Sequence, residues 1–251
     1  MLRQGLLINE VNVTSYAAAV KMILAWSSDS ESRYVCIANV HVLMEAYDSP
    51  YFRNVVEHAD LVTPDGMPLV WMMRLKGQRY QQRVYGPTLM LYVLEAAARE
   101  SIPVGFYGGG SEVLELLVER MQARYLGLNV AFAVSPPFVE LGFEEDVELV
   151  ERINRSGARI LFVGLGCPKQ EIWMASHRGR VKAVMLGVGA AFDFHAGVKS
   201  QAPAWMQTIG LEWLFRLSTE PRRLWKRYLY HNPRFLALAI ADLLGLLKKA
   251  D

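Results

Sequence analysis

Cysteine is scarce. Cys36 and Cys167 are the only two in 251 residues, and each lies in or just after an apolar run. That rules against a disulfide framework and fits a reducing compartment. Long hydrophobic runs are also missing. The longest late one, residues 235–247, spans 13 residues and contains Asp242, whereas a membrane-spanning helix needs roughly 20 apolar residues. The opening MLRQGLLINE has no apolar stretch long enough for a signal peptide. The expected location is therefore cytoplasmic, soluble or peripheral.

Missing motifs exclude several chemistries. No Gly-x-x-x-x-Gly-Lys-Ser/Thr occurs, so P-loop phosphate chemistry is out. No Gly-x-Ser-x-Gly occurs, which removes a nucleophile elbow. Asp-x-Asp, a common sign of a metal–diphosphate site, is absent. The five histidines (His41, His58, His177, His195 and His231) show no ligand spacing. No metal and no cofactor are expected.

What is present is ample core material, 52% hydrophobic, and an uneven charge distribution beneath a net charge of +2. From Lys199 onward nine bases face four acids, so the tail carries +5 and the body −3. A basic tail on an acidic body points to an anionic partner. Short apolar runs alternate with helical patterns. Strands are expected at residues 35–38, 61–62, 104–107, 130–134, 160–163 and 183–186, with helices between them. Such alternation predicts an α/β fold: a Rossmann-like, mostly parallel sheet with helices on both faces. Ligands in such folds bind beyond the carboxyl ends of the strands, where every glycine cluster of this chain falls. After Gly197 no strand pattern follows, and aromatics interleave with arginines. The expected division is a catalytic domain at 1–197 and a basic, aromatic-rich helical appendage at 198–251. Aromatic and basic residues together suit a membrane interface; nucleic acid could use the same pairing, but that reading rests on the tail alone and no nucleic-acid partner is expected.

The candidate sites lie at strand ends. Gly108, Gly109 and Gly110 precede a helix, where free N–H groups and the helix dipole can cradle an anion. The third glycine of a dinucleotide fingerprint is replaced by Val113, and the next strand ends at Ser135 without an acid. An NAD-dependent oxidoreductase is thus weakly supported. Gly164 and Gly166 allow close backbone approach, and Pro168 suits a first helical position. Lys169 and Gln170 then fall in the first turn, either as ligand contacts or as plain helix residues. Asp65, in the turn Pro64-Asp65-Gly66, is either a turn residue or a general base at the end of a buried strand. Arg83 offers a planar fork for phosphate or is a surface arginine. Asp193 could close the site or serve as a cap or hydrogen-bond acceptor.

Eight stretches occur together and in order: ANVHVL, ADLVTPDGMPLVW, RVYGPTLM, FYGGG, SPPF, VGLGCPKQEIWM, GVGAAFDFHAG and GLEWLFRLSTEPRRLWKRYL. In this the chain resembles the bacterial WecG/TagA/CpsF glycosyltransferases (glycosyltransferase family 26) over roughly residues 5–235. The resemblance implies an inverting, metal-independent enzyme. It would sit on the inner face of the cell membrane and act in cell-surface polysaccharide synthesis. The implied partners are a UDP-sugar donor, a polyprenyl-diphosphate-linked acceptor, a membrane surface reached through the appendage, and a further copy of the chain. The implied sugar is N-acetylmannosamine, its uronic acid or glucose.

By the same resemblance Asp65 matches the proposed base, Arg83 a residue near the substrate diphosphate, and Gln170 a site glutamine. Arg216, Arg222 and Arg223 match appendage arginines that close over the site. The family's Thr-x-Asn reads Ile37-Ala38-Asn39 here. That implies either an altered donor or acceptor, or an Asp65 that works without the hydroxyl; a non-catalytic nucleotide-sugar-binding protein is a further reading. The expected catalytic set is Asp65, Asn39 and Arg83. The expected substrate set is the five glycines named above with Pro137, Lys169, Gln170, Asp193, Arg216, Arg222 and Arg223.

Overall fold

A computed structural model of the chain describes residues 1–29, 31–137 and 142–247. It opens with a two-stranded antiparallel hairpin, β1 (Arg3–Leu6) and β2 (Asn9–Asn12), then α1 (Tyr16–Ser28) and β3 (Arg33–Ala38). Two helices come next, α2 (Val40–Asp48) and α3 (Pro50–Glu57). They lead to β4 (Leu61–Pro64), α4 (Met67–Leu75) and α5 (Gly86–Arg99). The alternation continues through β5 (Val104–Gly108), α6 (Ser111–Arg124), β6 (Val130–Val134) and α7 (Phe143–Ser156). It ends with β7 (Ile160–Gly164), α8 (Lys169–Ser176), β8 (Val184–Gly187) and α9 (Ala191–His195). The remainder is helical: α10 (Ala204–Thr208), α11 (Glu212–Thr219) and α12 (Pro221–Leu243).

The main sheet is parallel, six strands in the order β4-β3-β8-β7-β5-β6. The fold is the α/β architecture that the alternation predicts. Its strands are short apolar runs because both faces are covered: Leu161, Phe162 and Val163 are fully buried. Among the described residues no helix is long and apolar enough to cross a membrane.

The chain forms two compact units. The first comprises Met1–Ser15, Ile37–Tyr85 and Gln201–Asp251; the second comprises Tyr16–Cys36 and Gly86–Ser200. In the first unit the hairpin is tied to β4 and to the end of α3. The Asn12 side chain accepts the Val62 N–H of β4 at 2.8 Å. Arg3 donates to the Glu57 and Ala59 carbonyls at 3.0 and 2.7 Å. At the other end of the chain, Asp242 of α12 takes Lys76 at 2.6 Å and the Leu7 N–H at 2.8 Å. Arg234 pairs with Asp48 through two bonds of 2.8 and 2.6 Å.

In the second unit the core is aromatic. Phe106 of β5 stacks on Phe162 of β7 at 5.5 Å and meets the edge of Phe192 at 5.8 Å. Truncating a buried phenylalanine of this kind to alanine costs about 3–5 kcal/mol.

The hairpin, α1 and α3 are absent from the expected elements, although α3 has a legible start, with Ser49 capping it and Pro50 opening it. The β1 and β2 strands are four residues each, too short for alternation to register. Helix α1 has no acid in its first turn and no base in its last, which leaves Ser15, directly before it, as its one boundary mark. Pro168 also departs from expectation. It is the residue before α8 rather than its first position, and its bond to Cys167 is cis.

Candidate functional site

In the first unit, the chemistry gathers where β4 ends. The Asp65 N–H donates to the Ala38 carbonyl at 2.8 Å, which fixes the turn against the end of β3. Gly66 then caps α4, so Asp65 lies beside a positive helix end that favours a carboxylate. Asp65 is 8% exposed. Arg83 reaches it from the segment after α4, which is held in place by the Val84 N–H donating to the Pro64 carbonyl at 2.8 Å. The guanidinium meets Asp65 Oδ1 through Nε at 3.1 Å and Nη2 at 2.8 Å, and Nε also donates to the Asp65 carbonyl.

The same Nη2 donates to Glu212 Oε2 of α11 at 2.6 Å. One guanidinium therefore holds two largely buried carboxylates. The plane of Arg83 sits over the Tyr85 ring, 4.1 Å from its centroid. Burial alone would lower the arginine's pKa, but Asp65 and Glu212 outweigh it and keep the group charged. Burial raises the Tyr85 phenol, helped by Glu212 and Asp65 and opposed by Arg83 and Arg216. Arg216, in the last turn of α11, thus acts on the same cluster.

Asn39 stands next to this turn: a β-carbon on Gly66 would lie 3.5 Å from its Cα. Its side-chain oxygen is engaged locally, accepting the His41 and Val42 N–H groups at 3.0 and 3.2 Å as the N-cap of α2. Such a cap stabilises a helix by about 1 kcal/mol. Ile37, at the family's threonine position, is buried in β3. Arg222 and Arg223 are exposed at the start of α12, and Arg223 pairs with Glu220.

In the second unit, the strand ends are stitched to one another. Gly108 has φ +128°, and a β-carbon there would fall 2.6 Å from the Gly164 carbonyl carbon, so only glycine fits. The Gly109 N–H donates to the Gly164 carbonyl at 3.3 Å. The Ser135 hydroxyl donates to the Gly109 carbonyl at 2.6 Å. Gly110 caps α6 without a side-chain hydrogen bond, leaving a helix N-terminus of the kind that binds anions.

Gln170 is buried and spans two glycine turns. Its Oε1 accepts Gly166 N–H at 3.2 Å and Gly189 N–H at 3.0 Å, while Nε2 donates to Glu171 Oε1 at 2.8 Å. Glu171 is fully buried, and burial pushes its carboxyl up to about 7 against the opposing hydrogen bonds of Gln170, the backbone and Cys167. Lys169 is exposed at the first position of α8. Asp193 pairs with Lys199 at 2.9 Å. Pro137 lines a cleft with Tyr107, Val134, Pro136 and Glu145.

The structure thus gathers Asp65, Arg83, Asn39 and Arg216 in one unit, and Gly108, Gly109, Gly164, Gly166 and Gln170 in the other. Three residues escape the sequence pattern. Glu212 heads the Glu-Trp-x-x-Arg-Leu element, whose arginine is Arg216, and that element is the signal that could have found it. Glu171 has the look of an ordinary first-turn acid and is instead buried in the unit's interior. Tyr85 falls in the RVYGPTLM stretch, but nothing there marks it as the ring beneath Arg83. Nor do the histidines stay apart. His41 and His231, distant in sequence, meet at Glu45, because α12 packs on α2 and brings the far end of the chain to it.

Two curated relatives bear on this geometry. One from Bacillus spizizenii is 31% identical over 201 residues, 80% of this chain and 76% of the relative. One from Bacillus subtilis is 33% identical over 184 residues, 72% and 69% respectively. Each is named N-acetylglucosaminyldiphosphoundecaprenol N-acetyl-β-D-mannosaminyltransferase. The model of the glycosyl transferase WecG/TagA/CpsF family matches residues 5–249. The chain belongs to that glycosyltransferase family.

Proposed function

We propose that this chain transfers N-acetylmannosamine from its UDP conjugate to an N-acetylglucosamine carried on a polyprenyl diphosphate, with inversion and with Asp65 as general base. The observation that carries this reading is the buried Asp65–Arg83–Glu212 cluster at the end of β4, with Arg216 acting on it. The activity for which the two relatives are named supplies the sugar and the acceptor.

In a single displacement, an acceptor hydroxyl oxygen attacks the anomeric carbon of the donor. The bond from that carbon to the diphosphate oxygen breaks, UDP leaves, and the hydroxyl proton passes to Asp65. Negative charge grows on the leaving diphosphate, and fixed cations aimed at it lower the barrier. Arg83 and Arg216 supply those cations. In the second unit, the uncapped start of α6 and the glycine turns form an anion-binding end of their own. Gln170 holds two of those turns in register and is a positioning residue rather than a substrate contact, because its amide is occupied by Gly166, Gly189 and Glu171.

The lipid-linked acceptor calls for a surface that meets a membrane. Helix α12 presents one: Trp225, Leu229, Leu236, Ile240 and Leu243 are exposed and recur at spacings that place them along one stripe of the helix. Arg222 flanks its start.

The test is UDP release from a panel of UDP-sugars with a polyprenyl-diphosphate N-acetylglucosamine acceptor. The wild-type protein should prefer UDP-N-acetylmannosamine. Asp65→Asn should lose about 10²–10⁴-fold in kcat with little change in donor binding. Full turnover by a folded Asp65→Asn protein would remove Asp65 from the chemistry.

A further inference from the structure

Away from Asp65, three side chains converge between α2 and α12 in a way the transfer reaction does not use. His41 and Glu45 are one helical turn apart on α2, and His231 reaches them from α12. His41 Nδ1 and His231 Nε2 each lie 3.5 Å from Glu45 Oε1, and the three ligand atoms lie within 4.8 Å of one another. The imidazole rings are tilted, with centroids 5.2 Å apart.

A direct hydrogen bond to a carboxylate runs at about 2.7–2.9 Å, and 3.5 Å is too long for one. The spacing matches something else. With metal–nitrogen and metal–oxygen bonds near 2.05 Å, the edge of a tetrahedron is about 3.3 Å.

We propose that His41, Glu45 and His231 form a binding site for a zinc-type divalent transition-metal ion, which clamps α12 onto α2.

Two imidazoles and one carboxylate make a borderline-soft donor set, suited to Zn²⁺ rather than to Mg²⁺ or Ca²⁺, which prefer oxygen ligands. Three protein ligands leave the fourth tetrahedral position to water. His231 is 7% exposed and directed at the carboxylate. Glu45 is about one-third exposed at its side chain, which gives an ion a route in. The charge nearest the site is managed locally, because Arg234 is neutralised by its two bonds to Asp48.

The clamp bears on the catalytic cluster without entering it. Helix α2 starts at its Asn39 cap beside the Asp65 turn, and α12 comes directly after α11, which carries Glu212 and Arg216. An ion at His41, Glu45 and His231 would fix the helix next in the chain to those two residues.

The experiment uses tag-free, full-length protein stripped of metal. Equilibrium dialysis against Zn²⁺ with elemental analysis should give one bound equivalent. Co²⁺ should give the visible absorption of a tetrahedral nitrogen–oxygen site, displaced by Zn²⁺. Glu45→Gln and His231→Ala, each checked for helix content, should weaken Zn²⁺ by more than about 100-fold, since even outer-shell changes cost 10–100-fold. Cys167→Ser should bind as the wild type does. Zn²⁺ should raise the Tm of the wild type and not of Glu45→Gln. Absence of stoichiometric Zn²⁺ in the wild-type protein would overturn the proposal, and so would wild-type affinity in a folded Glu45→Gln. The wild-type titration decides even where a variant misfolds.

Discussion

Replacing Arg83 with methionine probes the cluster most directly. In the native protein its guanidinium serves Asp65 and Glu212, whose side chains are 12% and 14% exposed. Methionine keeps the stem and removes the charge. Two carboxylates then face each other in a site with little water, and breaking a buried pair in this way costs about 3–5 kcal/mol. For a chain of this size, each kcal/mol moves Tm by about 2–4 °C, so a drop of roughly 6–20 °C at pH 7.5 is expected in differential scanning calorimetry.

The pH dependence has a definite sign. Without the cation, the two carboxylates repel each other across a site with little water, and protonating either one removes that repulsion. Stability from such a group is fully present below the unfolded pKa and is lost as pH rises through the folded one. The gap between wild type and Arg83→Met should therefore be widest at pH 7.5 and narrow toward pH 4.5. Adding Glu212→Gln removes one of the two like charges, so the double variant should regain about 1–3 kcal/mol, a non-additive coupling expected of residues in contact. Arg83→Lys should regain stability but little transfer, because a point charge cannot supply the fork. An Arg83→Met protein that melts within about 2 °C of the wild type at both pH values would refute the account of this cluster.

Three further outcomes are expected. Glu171, raised to about 7 in the folded protein, contributes stability that is present below its unfolded pKa of about 4.3 and lost as pH rises through 7, an amount of about 4 kcal/mol; Glu171→Gln should flatten the decline in Tm between pH 5 and 8 and be the more stable protein at pH 8, and a variant that keeps the slope would place the titration elsewhere. Asn39→Ala should lose about 1 kcal/mol of helix capping, whereas Asn39→Asp keeps the cap; if the aspartate variant melts like the wild type yet loses transfer, Asn39 has a role in the site beyond capping, and if it keeps transfer, it has none. Leu236→Asp together with Ile240→Asp on α12 should reduce sedimentation with anionic lipid vesicles by at least about tenfold without lowering Tm, and unchanged vesicle binding would end the membrane role of this stripe.

The sheet was legible because its strands are short apolar runs, three of them closed by glycine at Gly108, Gly164 and Gly187. Val104–Gly108 and Ile160–Gly164 fall within one residue of the pattern. The helices between them obey apolar periodicity and end within about three residues of expectation. What escaped depends on tertiary partners. Nothing in the sequence RVY tells that Arg83 will turn back on Asp65, or that Tyr85 will lie under it, since those contacts need the chain between β4 and α5 to fold first. Glu212 lies 129 residues from Arg83 in sequence, and the same distance problem hid the meeting of His231 with His41. Glu171 is hidden for a different reason. An acid in the first turn of a helix ordinarily faces solvent and the helix dipole, and only packing against Gln170 makes it a core residue.

The double pairing of Arg83 bears on how a base held by an arginine could accept a proton. A carboxylate in contact with a guanidinium is a poorer base than a free one, because the cation favours its charged form. Arg83 has two anions and one fork. A diphosphate brings more charge than either carboxylate, and guanidinium–phosphate contacts are of the same bidentate kind. When such a group binds, Arg83 must yield part of its contact with Glu212, with Asp65, or with both. Yielding Glu212 leaves α11 free to shift with Arg216. Yielding Asp65 raises its basicity at the moment an acceptor hydroxyl needs it. In this account Glu212 occupies Arg83 in the resting protein in place of a substrate phosphate. Glu212→Gln should then lower the KM for a UDP-sugar donor by roughly three- to tenfold, a coupling of about 1 kcal/mol, while Asp65→Asn leaves that KM unchanged. A Glu212→Gln enzyme whose KM rises would mean that the carboxylate helps to build the donor site instead of standing in for its phosphate.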